Sequence, residues 1–255
     1  MQVTFLGTGS AMPTGDRMQS GVLVEDQDQD EDQDQDEDKA RRVLVDVGSG
    51  ALHRLAKTTA GYEGVETVLL THHHLDHVSD LLPLMKARWL AGEETLTVVG
   101  PTGTSALVDE LLSVHEYMGD RLDLTTRDVE AGSFEVGGFE VDAMETRHSM
   151  PCLAYRFENH LTLSGDSEVF DDLVGFAAAG EVLIHDCSFP DEVDVSNHPT
   201  PSTLGKALSG HNFETVYLTH LYPHTEGKHR EMRESIAEHY DGDVRFARDG
   251  LTVEV

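Results

Sequence analysis

The sequence predicts an α/β fold in which two β-sheets lie face to face between outer layers of helices, a four-layer αββα sandwich. Short apolar runs rich in Val, Leu and Ile alternate along the chain with amphipathic helical patterns. Both kinds of element have apolar faces to bury, and two sheets covered by helices are the simplest packing that buries them. A chain of 255 residues with 38% hydrophobic content can fill such a core as one domain over residues 1–255.

These two patterns assign the elements in chain order. Strands are predicted at residues 3–6, 21–24, 42–48, 68–70, 96–99, 152–157, 161–164, 182–185, 216–219 and 251–255. Helices are predicted at residues 51–59, 78–91, 102–118, 168–179, 200–209 and 228–239. Residues 158–160 leave room only for a tight turn between two strands, so this part of the chain is predicted to be a hairpin.

One segment departs from this alternation, because residues 25–38 read EDQDQDEDQDQDED and contain only Glu, Asp and Gln. Such a segment has no apolar surface to bury, and its like charges repel one another. We therefore predict a disordered acidic loop at the tip of a hairpin. Binding of a partner by this loop is the alternative.

The overall charge and composition restrict the partners and the compartment. The 18 basic and 48 acidic residues give a net charge of -30, which disfavours nonspecific attraction to nucleic acids or anionic membranes. No apolar run reaches the roughly 18 residues of a membrane span, and the start MQVTFLGTGS lacks the pattern of a signal peptide. Cys152 and Cys187 are too few for a disulfide framework and suit a core position. These features predict a cytoplasmic protein with no membrane partner.

The segment THHHLDH at residues 71–77 carries the strongest functional signal. The apolar run VLL delivers it to the carboxyl end of a predicted strand, where ligand sites of layered α/β folds often gather. His72 and His74 are two residues apart, so an extended loop can turn both imidazoles to one side, while Asp76 and His77 can reach a neighbouring ion. Neutral imidazole and carboxylate are ligands of zinc and similar ions. A solvated His-rich turn would explain neither the preceding strand nor the partners elsewhere in the chain.

Further candidate ligands follow strand-like runs: His148 in AMETRHSMP, Asp166 in LTLSGDS and His220 in VYLTHLYP. His72, His74 and His148 would hold one ion. Asp76, His77 and His220 would hold the other, and Asp166 would bridge both. The predicted ligands are thus His72, His74, Asp76, His77, His148, Asp166 and His220. Asp46 in LVDVG is predicted to orient the histidine loop, with a turn-forming role as the alternative.

A pair of divalent ions suggests a chemistry for this set of residues. Two cations roughly 3.5 to 4 Å apart can lower the pKa of a shared water to about 7, so that hydroxide is present at neutral pH. Such a hydroxide can serve as the nucleophile of a hydrolysis while the ions neutralise the growing charge. An alkoxide leaving group then needs a proton, which a histidine can donate. Zinc is the expected metal, with manganese and iron as alternatives.

Several ordered motifs cover nearly the whole chain: FLGTGSAMP, DVG, THHHLDH, RHSMP, SGD, HDCSF, NHPT and LTH. As a set they resemble the metallo-β-lactamase superfamily, and within it the ribonuclease Z-like branch. The resemblance implies an αββα sandwich, two metal ions, usually zinc, and hydrolysis, commonly of phosphodiesters. It also suggests a homodimer, and the acidic composition suggests a haloarchaeal member.

The motifs HDCS and HPT stand where ribonuclease Z-like enzymes carry HEAT and HST. The resemblance implies that His198 faces the metals as a proton donor and that Asp186, one methylene shorter than the family's Glu, orients it. Together with Asp76 these are the predicted catalytic residues. The alternative for His198 is a polar residue at the start of the helix near residue 200.

Members of this branch that process transfer RNA carry a long arm between the positions that match His148 and Asp166. Here 17 residues separate them, and the predicted hairpin leaves no room for an arm. The sequence therefore favours a phosphodiesterase acting on small or flexible substrates. The alternatives are a transfer-RNA 3′-end endonuclease that binds RNA, a hydrolase of a non-phosphate ester or lactam, and a metal-binding interaction protein without catalysis.

Overall fold

The computed structural model describes residues 1–26 and 40–255, which form two seven-stranded sheets with helices on their outer faces. The strands are β1 (Gln2–Gly7), β2 (Gly21–Asp26), β3 (Arg41–Val45), β4 (Thr67–Leu69), β5 (Thr95–Pro101), β6 (Asp123–Val129), β7 (Gly132–Val136), β8 (Phe139–Glu145), β9 (Leu153–Phe157), β10 (Leu161–Leu163), β11 (Val182–Asp186), β12 (Thr215–Thr219), β13 (Val244–Phe246) and β14 (Thr252–Glu254). The helices are α1 (Ala51–Leu55), α2 (Leu75–Val78), α3 (Leu81–Ala91), α4 (Thr104–Val114), α5 (Asp171–Ala177), α6 (Pro201–Leu208) and α7 (His229–Ala237), with 3-10 turns at Glu116–Arg121 and Pro223–Thr225.

Both sheets are antiparallel in one half and parallel in the other. The first sheet has the order β14-β1-β2-β3-β4-β5-β6, and the second has the order β13-β12-β11-β10-β9-β8-β7. Strands β3 to β6 run parallel in the first sheet, as do β10 to β13 in the second. Parallel strands place their carboxyl ends along one edge of a sheet, and ligand sites form at such edges.

The alternation of side chains along the strands builds three apolar layers. In β2, Val22 and Val24 face the core between the two sheets, whereas Leu23 faces the helices that cover the first sheet. In β11, Ile184 faces the same central core and Leu183 packs under the helices on the second sheet. Helices, sheet, sheet and helices therefore follow one another, which confirms the predicted αββα sandwich.

The helices of this sandwich are short. The two longest among the described residues, α3 and α4, have 11 residues each. No helix in this part of the chain is long and apolar enough to cross a membrane.

The predicted hairpin between the sixth and seventh predicted strands is confirmed. Strands β9 and β10 pair antiparallel, and the N–H of His160 donates to the carbonyl oxygen of Phe157 at 2.9 Å. Glu158 and Asn159 between them have φ values of 47° and 60°. Two successive residues with positive φ form a type I′ turn, whose twist matches that of the flanking strands. Nothing longer than this turn separates the two strands.

Several predicted boundaries were wrong, and four strands were missed. The third strand ends at Val45 and not at residue 48, because the chain turns at Asp46 with φ 58°. The helix predicted at 78–91 is divided into α2 and α3. The missed strands are β6, β7, β8 and β13. Of these, β6, β7 and β13 are the outermost strands of their sheets, and charged residues interrupt their apolar pattern. Edge strands carry one solvated face and give a weak apolar signal.

The predicted acidic loop begins too early. Glu25 and Asp26 belong to β2 and pair with Arg42 and Arg41 of β3, so ion pairs across the hairpin hold these two residues in the strand. The rest of the predicted loop, residues 27–38, lies outside the described residues.

Candidate metal centre

Hydrogen bonds hold the start of the histidine loop, which follows β4, against Asp46 at the end of β3. The main-chain N–H of Thr71 donates to Oδ1 of Asp46 at 2.7 Å, and the Thr71 hydroxyl donates to Oδ2 at 2.8 Å. His74 is extended, with φ −63° and ψ 148°, and directly precedes α2. Asp76 and His77 therefore lie in the first turn of a one-turn helix, where both are buried.

The first group of converging side chains contains His72, His74, His148 and Asp166, whose potential ligand atoms all lie within 4.8 Å of one another. Nδ1 of His74 lies 3.0 Å from Nε2 of His72 and 3.1 Å from Nε2 of His148. Zinc–nitrogen bonds of about 2.0 to 2.1 Å at a tetrahedral angle require nitrogen separations of about 3.3 to 3.4 Å. The three imidazoles are therefore arranged closely enough to share one ion.

The second group contains Asp76, His77 and His220, and it is buried throughout. Oδ2 of Asp76 lies 3.1 Å from Nε2 of His220 and 3.7 Å from Nε2 of His77. His220 follows β12 with φ 54°, a value uncommon for a residue with a side chain. Residues held in such conformations cluster at functional sites, where the surroundings determine the geometry.

Asp166 lies between the two groups, where the sequence places a bridging carboxylate. Its Oδ1 lies 3.6 Å from Nε2 of His77, and its Oδ2 lies 3.7 Å from Nε2 of His72 and 3.3 Å from Nε2 of His220. The preceding residue, Gly165, has φ 59°, which suits glycine. One buried carboxylate thus contacts members of both groups.

Burial and neighbouring charges shift the pKa values of three side chains in the cluster, and for His72 and Asp166 the shift favours the form that binds metal. Burial lowers the pKa of His72 well below its ordinary value, and the neighbouring His77 lowers it further. Burial alone would raise the pKa of Asp166, but His220 and His77 hold it well below the usual range. Burial alone would lower the pKa of His77, yet Asp166 and Asp46 raise it well above its ordinary value. The raised pKa of His77 favours its protonated form, and a metal ion at this position would compete with that proton.

The ring nitrogens that face away from the cluster are held by other residues. Nδ1 of His77 donates to Oδ2 of Asp46 at 2.7 Å, because a carboxylate can only accept, and this leaves Nε2 free to face the cluster. Nδ1 of His220 lies 3.0 Å from Oγ of Ser188, and Nδ1 of His72 lies 3.0 Å from the hydroxyl of Thr71. Such outer hydrogen bonds fix the orientation of a metal-binding imidazole.

His198 lies beside both groups. Its Nδ1 donates to Oδ2 of Asp186 at 2.8 Å, so the shorter aspartate makes the contact that the motif implies. The ring stacks on that of His220 with centroids 5.4 Å apart and planes 17° apart, and its side chain keeps 11% of its exposure. Together with Asp166 and His220 it forms a third group within 4.8 Å. His198 precedes α6, whose N-cap is Thr200, so it does not cap that helix.

One histidine of the loop lies apart from the cluster, and some participants were not foreseen. Nε2 of His73 contacts the hydroxyl of Thr104 at 2.8 Å. Ser188 contacts both His220 and His198, and Ser20 lies 3.3 Å from Nε2 of His77. A lone serine gives no signal in a sequence, although Ser188 lies two residues after a predicted catalytic position.

The donor set fits divalent metal ions. Among the described residues, these imidazole nitrogens and carboxylate oxygens form every group that brings at least three His, Cys, Asp or Glu ligand atoms within 4.8 Å. Neutral imidazole and carboxylate donors suit zinc and other borderline divalent ions. The buried carboxylates also supply negative charge that a cation would neutralise.

The fold and this site define a metal-dependent hydrolase of the metallo-β-lactamase superfamily, in its ribonuclease Z-like branch. Among solved structures, the metallo-β-lactamase fold protein YhfI from Bacillus subtilis aligns with a TM-score of 0.80 over 100% of this chain and 99% of that chain, at 23% identity. The short form of human tRNase Z aligns with a TM-score of 0.72 over 100% and 99% of the two chains, at 21% identity. These two likenesses establish the fold.

Comparison of the sequence with known proteins assigns the chain to a family within this superfamily. Ribonuclease Z of Methanopyrus kandleri is 30% identical to this chain and covers 98% of it and 96% of its own length. A model of the family described as anti-Pycsar protein Apyc1 matches residues 1–239, and the chain belongs to this family.

Proposed function

We propose that the seven predicted ligands hold two divalent cations, zinc in the first place, with manganese and iron as alternatives. The histidines at 72, 74 and 148 would hold one cation, and Asp76, His77 and His220 the other, with Asp166 between them. When bound, such a pair supplies Lewis acidity and a water nucleophile at neutral pH. Asp46, Thr71 and Ser188 contribute by holding the outer ring nitrogens.

The proposed reaction is hydrolysis of a phosphodiester in which His198 protonates the leaving oxygen. The observation that carries this role is the 2.8 Å bond from Nδ1 of His198 to Asp186, beside a ligand set that is complete without His198. Burial alone would lower the pKa of His198, but the hydrogen bond and charge of Asp186 raise it above its ordinary value. A general acid must carry a proton to donate, and the contact with Asp186 shifts the pKa of His198 in the direction that favours the protonated imidazole.

The proposed substrates are small or flexible phosphodiesters. The type I′ turn between β9 and β10 replaces the long arm that the resemblance associates with binding of transfer RNA. The alignment with the Methanopyrus ribonuclease Z extends over 293 residues, more than the 255 of this chain, so that relative carries segments that this chain lacks. The net charge of -30 also opposes the binding of a long polyanion except at high salt.

A second candidate is cleavage at the 3′ end of precursor transfer RNA. It is favoured by the relatives named ribonuclease Z, which match 98% to 100% of this chain. Hydrolysis of a non-phosphate ester or lactam is a further alternative. The position of His198 between Asp186 and the ligand cluster speaks against metal binding without turnover, because a purely metal-binding protein has no use for an oriented acid.

The domain organisation, location, oligomeric state and source that we propose rest on the sequence. We propose one domain over residues 1–255, a cytoplasmic location, a homodimer and a haloarchaeal source. The acidic composition supports the last proposal, since 48 of the 255 residues are Asp or Glu.

The role of His198 can be tested by replacing it with alanine and comparing two phosphodiesters that differ in their leaving groups. One substrate should release an alkoxide and the other a phenolate of low pKa, which needs little protonation. We expect His198→Ala to reduce turnover of the alkoxide substrate by roughly 10²- to 10⁴-fold, because general acid catalysis typically contributes that much. The phenolate substrate should suffer much less, and the metal content should not change.

His148→Ala serves as the matched comparison, because loss of a metal ligand should impair both substrates alike. Equal impairment of both substrates by His198→Ala would refute the proton-donor role, and loss of metal in this variant would make His198 a ligand. The substrate class is tested by screening metal-loaded protein at high salt against linear phosphodiesters, cyclic phosphodiesters and precursor transfer RNA. Cleavage of precursor transfer RNA alone would overturn the proposed preference.

A further inference from the structure

Asp186 is in contact with a second histidine, for which the proposed mechanism has no role. His185 precedes Asp186 in β11, which lies between β10 and β12. Its side chain is fully buried, with 0% exposure, and Asp186 itself keeps only 1%. Water therefore does little to hold the Asp186 carboxylate in place, and the protein must supply the groups that do.

The two histidines lie against different oxygens of this carboxylate. Nδ1 of His185 donates to the main-chain oxygen of Asp186 at 2.8 Å and lies 2.9 Å from its Oδ1. A carbonyl oxygen can only accept, so this nitrogen carries the proton. Oδ1 has no hydrogen-bond partner among the described residues, so His185 Nδ1 approaches it at 2.9 Å without an aligned bond, whereas Oδ2 accepts from His198 at 2.8 Å. The carboxylate thus lies between two imidazole rings.

Packing alone does not account for a histidine at this position. Its other ring nitrogen, Nε2, is buried without a hydrogen-bond partner in the described part of the chain. An unpaired polar nitrogen inside a protein costs free energy, and an aliphatic side chain would avoid that cost. The two preceding residues of the strand, Leu183 and Ile184, pack in the apolar layers on either side of the sheet.

We propose that His185 is a positioning residue for proton donation. Its Nδ1 lies 2.9 Å from Oδ1 of Asp186, and because an aspartate has only two side-chain torsions, this contact restricts the carboxylate to an orientation in which Oδ2 faces Nδ1 of His198. Contacts thus run from His185 through Asp186 to His198, which lies beside the ligand cluster. The inference rests on the proposed function, in which His198 protonates the leaving oxygen.

Three substitutions at position 185 separate this role from packing. His185→Leu removes the N–H and keeps a similar volume, His185→Asn keeps an N–H near the place of Nδ1, and His185→Gln carries its N–H one methylene further. We expect the Leu and Gln variants to lose roughly 10- to 100-fold in turnover of the alkoxide substrate, at the low end of what an acid catalyst contributes. Turnover of the phenolate substrate should change much less, and the Asn variant should recover most of the loss.

Two measurements complete the test. Metal content should match that of the unmodified protein in all three variants, and the downfield Nδ1 proton of His198 in NMR spectra should persist in the Asn variant and weaken in the others. The double variant His185→Leu/His198→Ala should be no slower than His198→Ala alone, because residues that act as one unit are not additive.

The outcomes distinguish this inference from the function on which it rests. If His198→Ala itself shows no dependence on the leaving group, the proton-donor role is wrong and the inference falls with it. If His198→Ala shows that dependence but the position-185 variants impair both substrates equally, or Asn is no better than Gln, His185 is a packing residue and only this inference fails. The Asn and Gln comparison still decides the matter if the Leu variant does not fold.

Discussion

Asp46 holds the histidine loop and one ring of the metal centre at the same time, so Asp46→Asn tests how the site is oriented. Its carboxylate accepts both Thr71 bonds and the Nδ1–H of His77 at 2.7 Å. Asparagine tolerates the left-handed backbone of this position, where φ is 58°, and keeps one carbonyl oxygen for Thr71. Its NH₂ group would face His77 and donate to Nδ1. The imidazole proton would then move to Nε2, the nitrogen that faces Asp76 and Asp166.

The size of the effect follows from this change of tautomer. Loss of an outer hydrogen bond to a metal-binding histidine typically lowers metal affinity about 10- to 100-fold. At about 1.4 kcal/mol for each factor of ten, this is about 1.4 to 2.8 kcal/mol of binding free energy. The site that contains His77 should weaken most, because the other site is affected only through the Thr71 hydroxyl that contacts His72. Competition with a chromophoric chelator at high salt would resolve a tight and a weakened site.

Asp128→Asn is the matched control, because Asp128 is an exposed carboxylate that accepts from the N–H groups of Gly103 and Ser105 at the start of α4. Within the described residues, its hydrogen bonds do not reach the predicted ligands, so metal affinity should stay unchanged in this variant. Unaltered affinity of both sites in Asp46→Asn would show that Asp46 does not orient His77, and the reasoning would fail.

Two further predictions concern the support of the loop. Gly48→Ala should destabilise the fold by about 1 to 3 kcal/mol or more and weaken metal binding, since the new Cβ would lie 1.9 Å from the main-chain oxygen of Asp76. Denaturant unfolding measures this, and Gly175→Ala is the control, because its Cβ meets nothing within 4 Å and should stabilise α5 by about 0.5 to 1 kcal/mol. Tyr155→Phe should lower the free energy of unfolding by about 1 to 3 kcal/mol, because the buried Tyr155 hydroxyl donates to the carbonyl oxygen of Leu70 at 2.8 Å. An unchanged unfolding midpoint in Tyr155→Phe would contradict this.

The sequence was most informative where local patterning and chemistry coincide. The apolar run before THHHLDH indicates a buried strand, and a strand can deliver a compact loop of ligands only at its end. The hairpin at β9 and β10 was predictable because two apolar runs leave only a short turn between them. The two-sheet architecture followed from the alternation of strand and helix patterns, which depends on local periodicity.

What the sequence could not show depends on contacts between distant segments. Strand β6 has a largely polar sequence, DLTTRDV, and its pairing with β5 exists only in the folded sheet. The pair Gly137–Gly138 is a turn signal between β7 and β8, but charged residues in both runs weaken the apolar pattern that indicates a strand. The contacts of Ser188 with His198 and His220 arise from tertiary packing, and no spacing in the sequence indicates them. His185 adjoins Asp186 in the sequence, but only the folded strand shows that its ring lies against the carboxylate.

The metal content of the purified protein tests the central claim most directly. After dialysis at high salt, elemental analysis should find about two divalent ions per chain, as expected for a pair of neighbouring metal sites. A strong chelator should remove the ions and abolish turnover. A metal content near zero, together with undiminished activity in the chelator, would contradict the account.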